Sequence, residues 1–308
     1  MKFKIYSIKW IELYKNEIKD KTKMIYRIII EKYLNPFFGN IDLKKINYDY
    51  MQKYILIHKS ILSNSTLNLH IVIIKSIMRS AYDNKIILSN ESLKIRFLKR
   101  KDKMIEVFNS ADQKRLEHYL ISHCHESYCI GILLCLYTGV RIGELLALKW
   151  DDLDLKKGLL VINKSISIIK NEDGRLIEIV TTPKSESSNR IIPLGRNLIY
   201  YLKEHKMESK SEYVVSKKNY DRTSIRNYQF IFNRIQKNAK IENIVNFHAL
   251  RHTFATRAIE SGMDIKTLSE ILGHKNASIT LNLYVHSMFD TKKKAMDKLS
   301  FMIDTHCV

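Results

Sequence analysis

One stretch of this 308-residue chain decides its fold, and it reads His248-Ala249-Leu250-Arg251-His252-Thr253-Phe254-Ala255-Thr256. His248 and Arg251 stand three positions apart, so a helix places both side chains on one face. Arginine suits a phosphate, because its planar fork donates hydrogen bonds in pairs and never loses its charge. A lone His-x-x-Arg pair is a weak signal, and its meaning depends on the residues around it.

A second segment, from Thr138 to Glu144, carries an arginine directly after a glycine turn. We expect Arg141 to open a helix there, where its guanidinium and the free N–H groups of the helix start can meet one anion. Glu144 lies three positions further on, on the same face, and can hold Arg141 in place. Taken alone, the pair also fits an ordinary surface ion pair.

Three further residues complete a set with matching chemistry. Lys184 lies in a polar tip between two predicted strands and can donate a proton to a leaving oxygen. His274 follows Gly273, which is typical of a helix end, and Tyr284 comes ten residues later. Each has a plainer interpretation: a solvated turn, a capping imidazole, a core aromatic. Together with the arginines they suggest a phosphodiester that is held while a hydroxyl attacks it.

The composition is consistent with a partner that is a polyanion. Lysine and arginine outnumber the acidic residues 52 to 32, which gives a formal net charge of +20. Such a field draws a protein to nucleic acid, although a generically basic protein or lysine-rich codon usage gives the same balance. No stretch approaches the roughly 20 apolar residues of a membrane-spanning helix.

Cysteine usage predicts a reducing, intracellular environment. None of the four cysteines forms a Cys-x-x-Cys pair, so neither a disulfide framework nor a zinc knuckle is indicated. His123-Cys124-His125 has metal-binding residue types, but adjacent residues on a helix point in different directions and no second ligand pair follows. We therefore expect no metal and no cofactor.

Only 9 Gly and 3 Pro indicate a helix-rich chain. Four helices are predicted near the start, over residues 6–18, from 22 to the stop at Asn35-Pro36, from 47, and from 64. After residue 107 the pattern predicts helices from 109, over 129–137, and over 197–206, 224–240, 248–261, 264–272 and 278–286. Period-two alternation between 159 and 194 predicts one small antiparallel sheet.

Residues 94–103 are strongly cationic without a helical period, and they form the best candidate for a linker. The usual explanation of such a run is a solvated segment, and its position between two basic domains equally favours a place along a DNA backbone. The candidate DNA-binding residues here and on the preceding helix are Lys75, Arg79, Arg96, Lys99, Arg100 and Lys101.

These motifs together resemble the tyrosine recombinases, the phage-integrase family. The resemblance rests on the stretch at 248–256, on Leu272-Gly273-His274, on Thr280 and Tyr284, on Thr138-Gly139-x-Arg141, and on Lys184 ahead of Arg190-Ile191-Ile192-Pro193-Leu194. It implies a mainly α fold with a small antiparallel sheet, shaped as a C-shaped DNA clamp. The implied parts are a SAM-like four-helix core-binding domain over 1–92, a basic linker over 93–106, and a mixed α/β catalytic domain over 107–308.

The resemblance also assigns a role to each site residue. Tyr284 would be the nucleophile that forms a 3′-phosphotyrosyl link, and Lys184 would protonate the leaving 5′-oxygen. Arg141, Arg251 and His274 would stabilise the transition state, and His248 would assist proton transfer, with Glu144 in support. Covalent catalysis conserves the phosphodiester energy, and preorganised cations replace a metal, so the reaction needs neither ATP nor metal.

The implied function is site-specific recombination, as the integrase of a phage or conjugative element that integrates and excises DNA. A Xer-like resolvase, a DNA invertase, a type IB topoisomerase-like activity and a non-catalytic DNA-binding protein are the alternatives. The implied partners are double-stranded DNA with core-type sites, a homotetramer on the synapse formed from free monomers, and an accessory DNA-bending or excision factor. We expect a cytoplasmic, nucleoid-associated protein of a bacterium or phage, with no membrane partner and with a tail helix after Tyr284 that docks on a neighbour. The chain has no room for the arm-binding domain that many integrases carry before the core-binding domain, which argues against arm-site-dependent regulation of direction.

Overall fold

A computed structural model describes residues 1–13, 18, 20–99, 105–170, 175–182, 189–217, 221–274, 276–284, 293 and 296–297. Its contacts divide the chain into two compact units. The first comprises Met1–Lys103 with Ile168–Ile177, and the second comprises Met104–Ser167 with Glu178–Val308. Lys184, Arg100, Lys101 and most of the predicted tail helix lie outside the described residues.

The first unit is helical, with a core rich in aromatic side chains. Its helices are α1 (Phe3–Leu13), α2 (Asp20–Ile29), α3 (Asn35–Phe38), α4 (Tyr48–Lys59) and α5 (Asn64–Asp83). The side chains of Asn47 and Ser63 accept hydrogen bonds from backbone N–H groups in the first turns of α4 and α5, as N-caps do. Trp10, Phe38 and Tyr54 are fully buried between these helices.

The predicted second helix differs from the observed one at both ends. It begins at Asp20, two residues before the predicted cap at Thr22. It also does not stop at Asn35-Pro36, because a π-helical turn over Ile30–Leu34 leads directly into α3. Proline is tolerated there because it lies in the first turn of α3, where a missing N–H costs no intrahelical hydrogen bond.

The first part of the basic segment is attached to α5 rather than free. The Asn68 side chain accepts a hydrogen bond from the Leu98 N–H at 2.8 Å and donates one to the Leu98 carbonyl at 2.9 Å. Asn64 donates to the Lys99 carbonyl at 2.7 Å, and Ile95 is buried in the core of the unit. Arg96 and Lys99 remain exposed on this anchored segment.

The second unit combines helices with short strands. Its helices are α6 (Ser110–Ser122), α7 (Ser127–Thr138), α8 (Ile142–Leu145), α9 (Arg196–Glu208), α10 (Ile225–Asn238), α11 (His248–Glu260), α12 (Ile265–Leu272) and α13 (Ala277–Tyr284). Its strands are β1 (Leu153–Asp154), β2 (Leu159–Ile162) and β5 (Arg190–Pro193). The strands β3 (Ser165–Lys170) and β4 (Leu176–Thr181) belong to this unit only up to Ser167 and from Glu178, and the part between belongs to the first unit.

The strands form two antiparallel sheets, where the sequence predicted one. β2 pairs with β1 and with β5, with Leu160 opposite Ile192, while β3 pairs only with β4 among the described strands. The extended structure is interrupted at Lys164, between β2 and β3. The Lys164 ammonium donates a hydrogen bond to the Asp152 carboxylate at 2.8 Å. The prediction of a mainly α protein with small antiparallel strands is confirmed.

Helix α7 is apolar on all sides and forms the centre of the second unit. It ends at Gly139, which has the left-handed φ of 65°, and Arg141 then caps the short helix α8. α11 packs along α7, and α12 ends at Gly273 with a φ of 64°. Within the described part of the chain, no helix has the length and apolar character needed to cross a membrane.

Candidate functional site

Arg251 lies at the centre of the candidate site, on the buried side of α11. Only 3% of its surface is exposed. Its Nη1 donates to the Gly139 carbonyl at 2.7 Å, and its Nη2 donates to the Leu272 carbonyl at 2.6 Å and to His274 Nε2 at 2.8 Å. One guanidinium thus joins the ends of α7 and α12.

Arg141 and Glu144 form the predicted pair at the start of α8. The Arg141 Nη1 donates to Glu144 Oε1 at 2.8 Å, and the Arg141 backbone N–H donates to Oε2 at 2.9 Å. The Arg141 Nη2 reaches the Gly273 carbonyl at 3.3 Å. Arg141 keeps 36% of its side chain exposed, whereas Glu144 keeps 5%, so the arginine is the member that an outside anion can contact.

Arg190, on β5, is a member of the site that the sequence did not assign. Its side chain is 6% exposed and contacts both oxygens of Glu144, at 3.1 and 2.8 Å. Its Nε donates to the Ile271 carbonyl at 2.6 Å. The available signal was its charge: an arginine that opens a short apolar strand must find a partner if it is buried.

Three arginines cap the end of α12 together. The backbone N–H groups of Gly273 and His274 bond the carbonyls of Glu270 and Ser269, which closes a Schellman-type end. The next three carbonyls, at 271, 272 and 273, accept from Arg190, Arg251 and Arg141 in turn. Cations also suit this end of a helix because the macrodipole makes it negative.

His274 is held in one protonation state by its two neighbours. A guanidinium only donates hydrogen bonds, so Nε2 must carry the lone pair that accepts from Arg251. The ring proton is therefore on Nδ1, which lies 2.8 Å from the buried Thr280 hydroxyl. Burial, followed by the charge of Arg251, lowers the pKa of His274 to about 4, so the ring is neutral near pH 7.

His248 and His252 lie one turn apart on α11. Their rings meet edge to face, with centroids 4.6 Å apart. Desolvation and then the positive charge of Arg251 lower the pKa of His248. Desolvation, followed by the repulsion that a protonated His248 would exert, lowers the pKa of His252 to about 4. His248 is exposed and neutral, and it can accept a proton.

The reactive groups of two predicted site residues, the Tyr284 hydroxyl and the Lys184 ammonium, lie outside what the structure describes. Tyr284 is the last residue of α13, but its side chain lies beyond what the structure describes, and Lys184 falls in the undescribed span 183–188. Among the described residues, no cluster of three or more metal-ligating side chains occurs.

The candidate DNA-binding residues of the first unit have varied surroundings. Lys75 lies 5.1 Å from the centre of the Phe97 ring, and Arg79 approaches Asp83 at 3.8 Å. Arg96 and Lys99 are exposed.

The arrangement in the second unit suits an anionic group whose bonds are broken and formed during a reaction. Among the residues that the structure describes, three guanidinium groups stand against the Glu144 carboxylate, so this part of the cluster is net positive. Its members are fixed by backbone carbonyls before any ligand arrives, which is the condition for stabilising charge that develops in a transition state. The neutral imidazole of His248 beside them can accept a proton.

Comparison with known families covers both units. The model of the phage integrase family matches residues 102–291, and that of the phage integrase N-terminal SAM-like domain matches residues 2–57.

Two curated relatives and one solved structure illustrate the range of similar proteins. A XerC-like tyrosine recombinase of Caldanaerobacter subterraneus subsp. tengcongensis is 34% identical over 214 residues, which cover 64% of this chain and 54% of the relative. The ICEBs1 integrase of Bacillus subtilis is 26% identical over 292 residues, 90% of this chain and 77% of the relative. The integrase of transposon Tn1549, in complex with a circular intermediate DNA, has a similar fold, with a TM-score of 0.80, 22% identity and coverage of 97% and 99% of the two chains.

The chain spans about half the length of the curated relatives that it matches at 34% identity.

Proposed function

The chain belongs to the phage integrase family of tyrosine recombinases, and we propose that it cleaves and rejoins DNA at specific sites. The observation that carries the proposal is the cluster of Arg141, Arg251 and His274, held at the ends of α7 and α12. Tyr284 follows at the end of α13, ten residues after His274. Guanidinium groups fixed in this way are suited to a phosphate whose charge rises as a fifth oxygen bonds to phosphorus.

In the first step, the phenol oxygen of Tyr284 attacks the phosphorus and the bond from phosphorus to the 5′-oxygen breaks. The phenolic proton leaves to a base, for which the neutral His248 is our candidate, and Lys184 donates a proton to the departing 5′-oxygen. Arg141 and Arg251 bind the non-bridging oxygens, and His274 donates to one of them once its Nε2 carries a proton. The product is a 3′-phosphotyrosyl link and a free 5′-hydroxyl.

In the second step, a 5′-hydroxyl of another strand attacks the phosphotyrosyl phosphorus and releases Tyr284. The number of phosphoester bonds is the same before and after, so no external energy source is required. Glu144 supports both steps because it holds Arg141.

The direct test is to trap the covalent intermediate. DNA of the organism that carries the gene is sheared, nicked lightly and incubated with the protein, so that cleavage near a nick releases a short fragment and strands the phosphotyrosyl adduct. Adducts that survive detergent are retained on a protein-binding filter, and their DNA is sequenced. We expect the wild type to retain DNA at recurrent positions.

Tyr284→Phe is the matched control, since it removes a single oxygen. A filter signal from Tyr284→Phe equal to that of the wild type, or no adduct with the wild type, contradicts the proposal. A wild type that binds DNA but forms no adduct supports the non-catalytic alternative.

The biological role that we favour is integration and excision of a mobile element, because the ICEBs1 integrase aligns with 90% of this chain. The 34% identity to a XerC-like recombinase favours a resolvase as the second candidate. The sequenced adducts separate the two: sites that flank the gene indicate an integrase, and a single distant chromosomal site indicates a resolvase.

The partners follow from the reaction. Recombination joins four DNA arms, so we propose that monomers assemble into a homotetramer on paired core-type sites, in the bacterial cytoplasm where the chromosome lies, with help from an accessory DNA-bending or excision factor. A core-binding domain over 1–92, a linker over 93–106 and a catalytic domain over 107–308 remain our proposed division of labour, in which Lys75, Arg79, Arg96, Lys99, Arg100 and Lys101 contact the DNA.

A further inference from the structure

We propose that Arg190 is a positioning residue for DNA cleavage, which keeps Arg141 available to the phosphate by sharing the charge of Glu144 and by holding the end of α12. The inference rests on the recombinase function proposed above. Arg190 itself does not contact the phosphate in this proposal: it acts through Glu144 and through the backbone next to His274.

The hydrogen bonds of Glu144 show how the charge is shared. Oε1 accepts from Arg141 Nη1 and Arg190 Nη1, and Oε2 accepts from the Arg141 backbone and Arg190 Nη2. Each oxygen therefore has one bond from each arginine. Without Arg190, the carboxylate would pair with Arg141 alone, and the exposed guanidinium would meet a phosphate with its charge neutralised.

The hydrogen-bond partners of Arg190 show that it does not itself serve as the anion receptor. Its side chain is 6% exposed against 36% for Arg141. All three of its guanidinium nitrogens donate into the protein, to Glu144 and to the Ile271 carbonyl. Arg251 is also buried, but its Nη2 donates to His274 Nε2, and a phosphate oxygen can take over that bond. Arg190 is instead committed to a buried carboxylate, and breaking a buried ion pair is costly, so Arg190 influences a phosphate through the groups that it holds.

The contact with α12 adds a second effect. Arg190 bonds the carbonyl of Ile271, while Arg251 and Arg141 bond the next two carbonyls along the chain. His274 follows directly after these residues, and its ring contacts Arg251. Loss of the Arg190 bond frees the first of three carbonyls that fix this end, so both Arg141 and His274 lose part of their support.

The experiment measures DNA affinity and cleavage separately. The probe is one nicked duplex recovered from the adduct trap, and the readouts are the dissociation constant and the single-turnover rate of adduct formation with protein in excess. For Arg190→Met we expect nearly unchanged affinity and a cleavage rate that falls roughly 100-fold, the scale of a small misplacement of catalytic groups.

A double variant tests charge sharing directly. Arg190→Met with Glu144→Gln removes one positive and one negative group, which restores the net charge around Arg141. We expect it to cleave faster than Arg190→Met alone, by about 10-fold, with the remaining loss due to the freed Ile271 carbonyl. Arg190→Lys keeps the charge without the planar fork, so its rate should lie between those of the wild type and Arg190→Met.

The second unit offers a matched control in Arg222, whose Nη1 pairs with the Glu178 carboxylate at 2.8 Å. Among the described residues, the side-chain hydrogen bonds of this pair go to each other and to the backbone at 178, 223 and 225 rather than to Arg141, Glu144 or the end of α12. Arg222→Met and its double variant with Glu178→Gln should lower the melting temperature without lowering the cleavage rate of the folded protein. The same loss in Arg222→Met, or a wild-type rate in folded Arg190→Met, overturns the inference. A double variant no faster than Arg190→Met overturns charge sharing.

A readout without DNA separates this inference from the proposed function. The imidazole ¹⁵N NMR signals of His274 report that Nε2 accepts a hydrogen bond, and we expect them to change in Arg190→Met but not in Arg222→Met. If the wild type forms no adduct, the recombinase proposal fails, while the NMR comparison still decides whether Arg190 positions His274. Unchanged signals in Arg190→Met contradict the positioning role.

Discussion

The His274 ring lies between the Arg251 guanidinium, which can only donate hydrogen bonds, and the Thr280 hydroxyl, which can donate or accept them. Arg251 donates to Nε2, whereas the Thr280 hydroxyl can accept from Nδ1–H or donate to a bare Nδ1. A phosphate that takes over the Arg251 hydrogen bond leaves Nε2 free to gain a proton and donate to the phosphate. Thr280 is therefore suited to follow the ring through a change of tautomer or charge.

This contact gives a prediction for Thr280, which is fully buried. Thr280→Val has nearly the same shape but leaves Nδ1 without a partner, and a buried polar group without a partner costs about 1–3 kcal/mol. We expect the single-turnover cleavage rate to fall about 10-fold, because the ring loses its fixed orientation.

Thr280→Ser is the control for that prediction. It removes a methyl group and keeps the hydroxyl, so its cleavage rate should stay close to that of the wild type. Equal rates for the valine and serine variants would show that the hydroxyl has no part in holding His274.

The sequence was informative about residues whose role is chemical and less so about those that hold them. The structure brings Arg141, Glu144, Arg251 and His274 together near the end of α12, and their catalytic roles stay predictions. Arg190 and the Thr280–His274 contact were not foreseen, because a hydrogen bond between distant segments depends on how strands and helices pack. The placement of Lys184 and of the Tyr284 side chain stays a prediction.

At the scale of elements, the end of α7 depends on Gly139. Its φ of 65° disfavours any residue with a Cβ, and a Cβ there would lie 2.6 Å from Phe254 Cδ1 and 2.8 Å from Leu272 Cδ2. Gly139→Ala therefore combines backbone strain of about 1–2 kcal/mol with overpacking of about 1–3 kcal/mol. Urea unfolding should show a loss of about 2–5 kcal/mol in the free energy of unfolding.

Gly262 separates the two contributions. Its φ is 92°, but a Cβ at this position would have no atom within 4 Å. Gly262→Ala should thus cost only the strain, about 1–2 kcal/mol. If the two alanine variants lose equal stability, the predicted contact with Phe254 is not what makes glycine necessary at 139.

Helix α5 carries a histidine whose burial makes the first unit sensitive to acid. His70 is fully buried, its Nδ1 lies 2.7 Å from the Tyr54 hydroxyl, and desolvation followed by the charge of His58 lowers its pKa to about 4 from 6.5. The unfolded chain then binds the proton more tightly, so stability is complete above pH 6.5 and falls as the pH drops toward 4. The expected loss between about pH 7.5 and 4.5 is about 2–3 kcal/mol.

The two tryptophans allow this loss to be assigned to one unit, since Trp10 lies in the first and Trp150 in the second. In a Trp150→Phe background, urea unfolding followed by Trp10 fluorescence measures the first unit at each pH. His70→Phe should flatten the pH dependence. The same slope with and without His70 would assign the acid sensitivity to other groups.

Helix starts with polar caps were predicted well, as at Asn47, Asn109 and Asp264, because a cap is a local interaction. The helix stop predicted at Asn35-Pro36 is wrong because proline inside a helix and proline in a first turn look alike in sequence. The division of the strands into two sheets was missed for a different reason. Alternation reveals a strand but not its partner, and pairing is decided by tertiary packing.

At the scale of the whole molecule, the net charge of +20 predicts DNA binding that weakens steeply with salt. The slope of log affinity against log salt measures how many phosphates are neutralised, at about 0.9 for each contact. Arg96 and Lys99 are exposed on the segment anchored to α5. Replacing both with glutamine should lower the slope by about 2 if each contacts a phosphate.

Lys94 is the control from the same segment. Its ammonium already pairs with Glu91 at 2.9 Å, so Lys94→Gln should change the slope less than either neighbouring substitution does. A fall in slope that is equal for Lys94, Arg96 and Lys99 would indicate a diffuse effect of net charge rather than contacts by Arg96 and Lys99.

The three arginines at the end of α12 lose their conformational freedom when the protein folds rather than when it binds DNA. A long side chain that becomes fixed gives up as much as about 2 kcal/mol of rotamer entropy. Here that loss occurs once, during folding, when the carbonyls at 271–273 take up their partners. DNA therefore meets Arg141 and Arg251 already fixed in place. The temperature dependence of the cleavage rate should reflect bond-making at phosphorus rather than the ordering of flexible side chains.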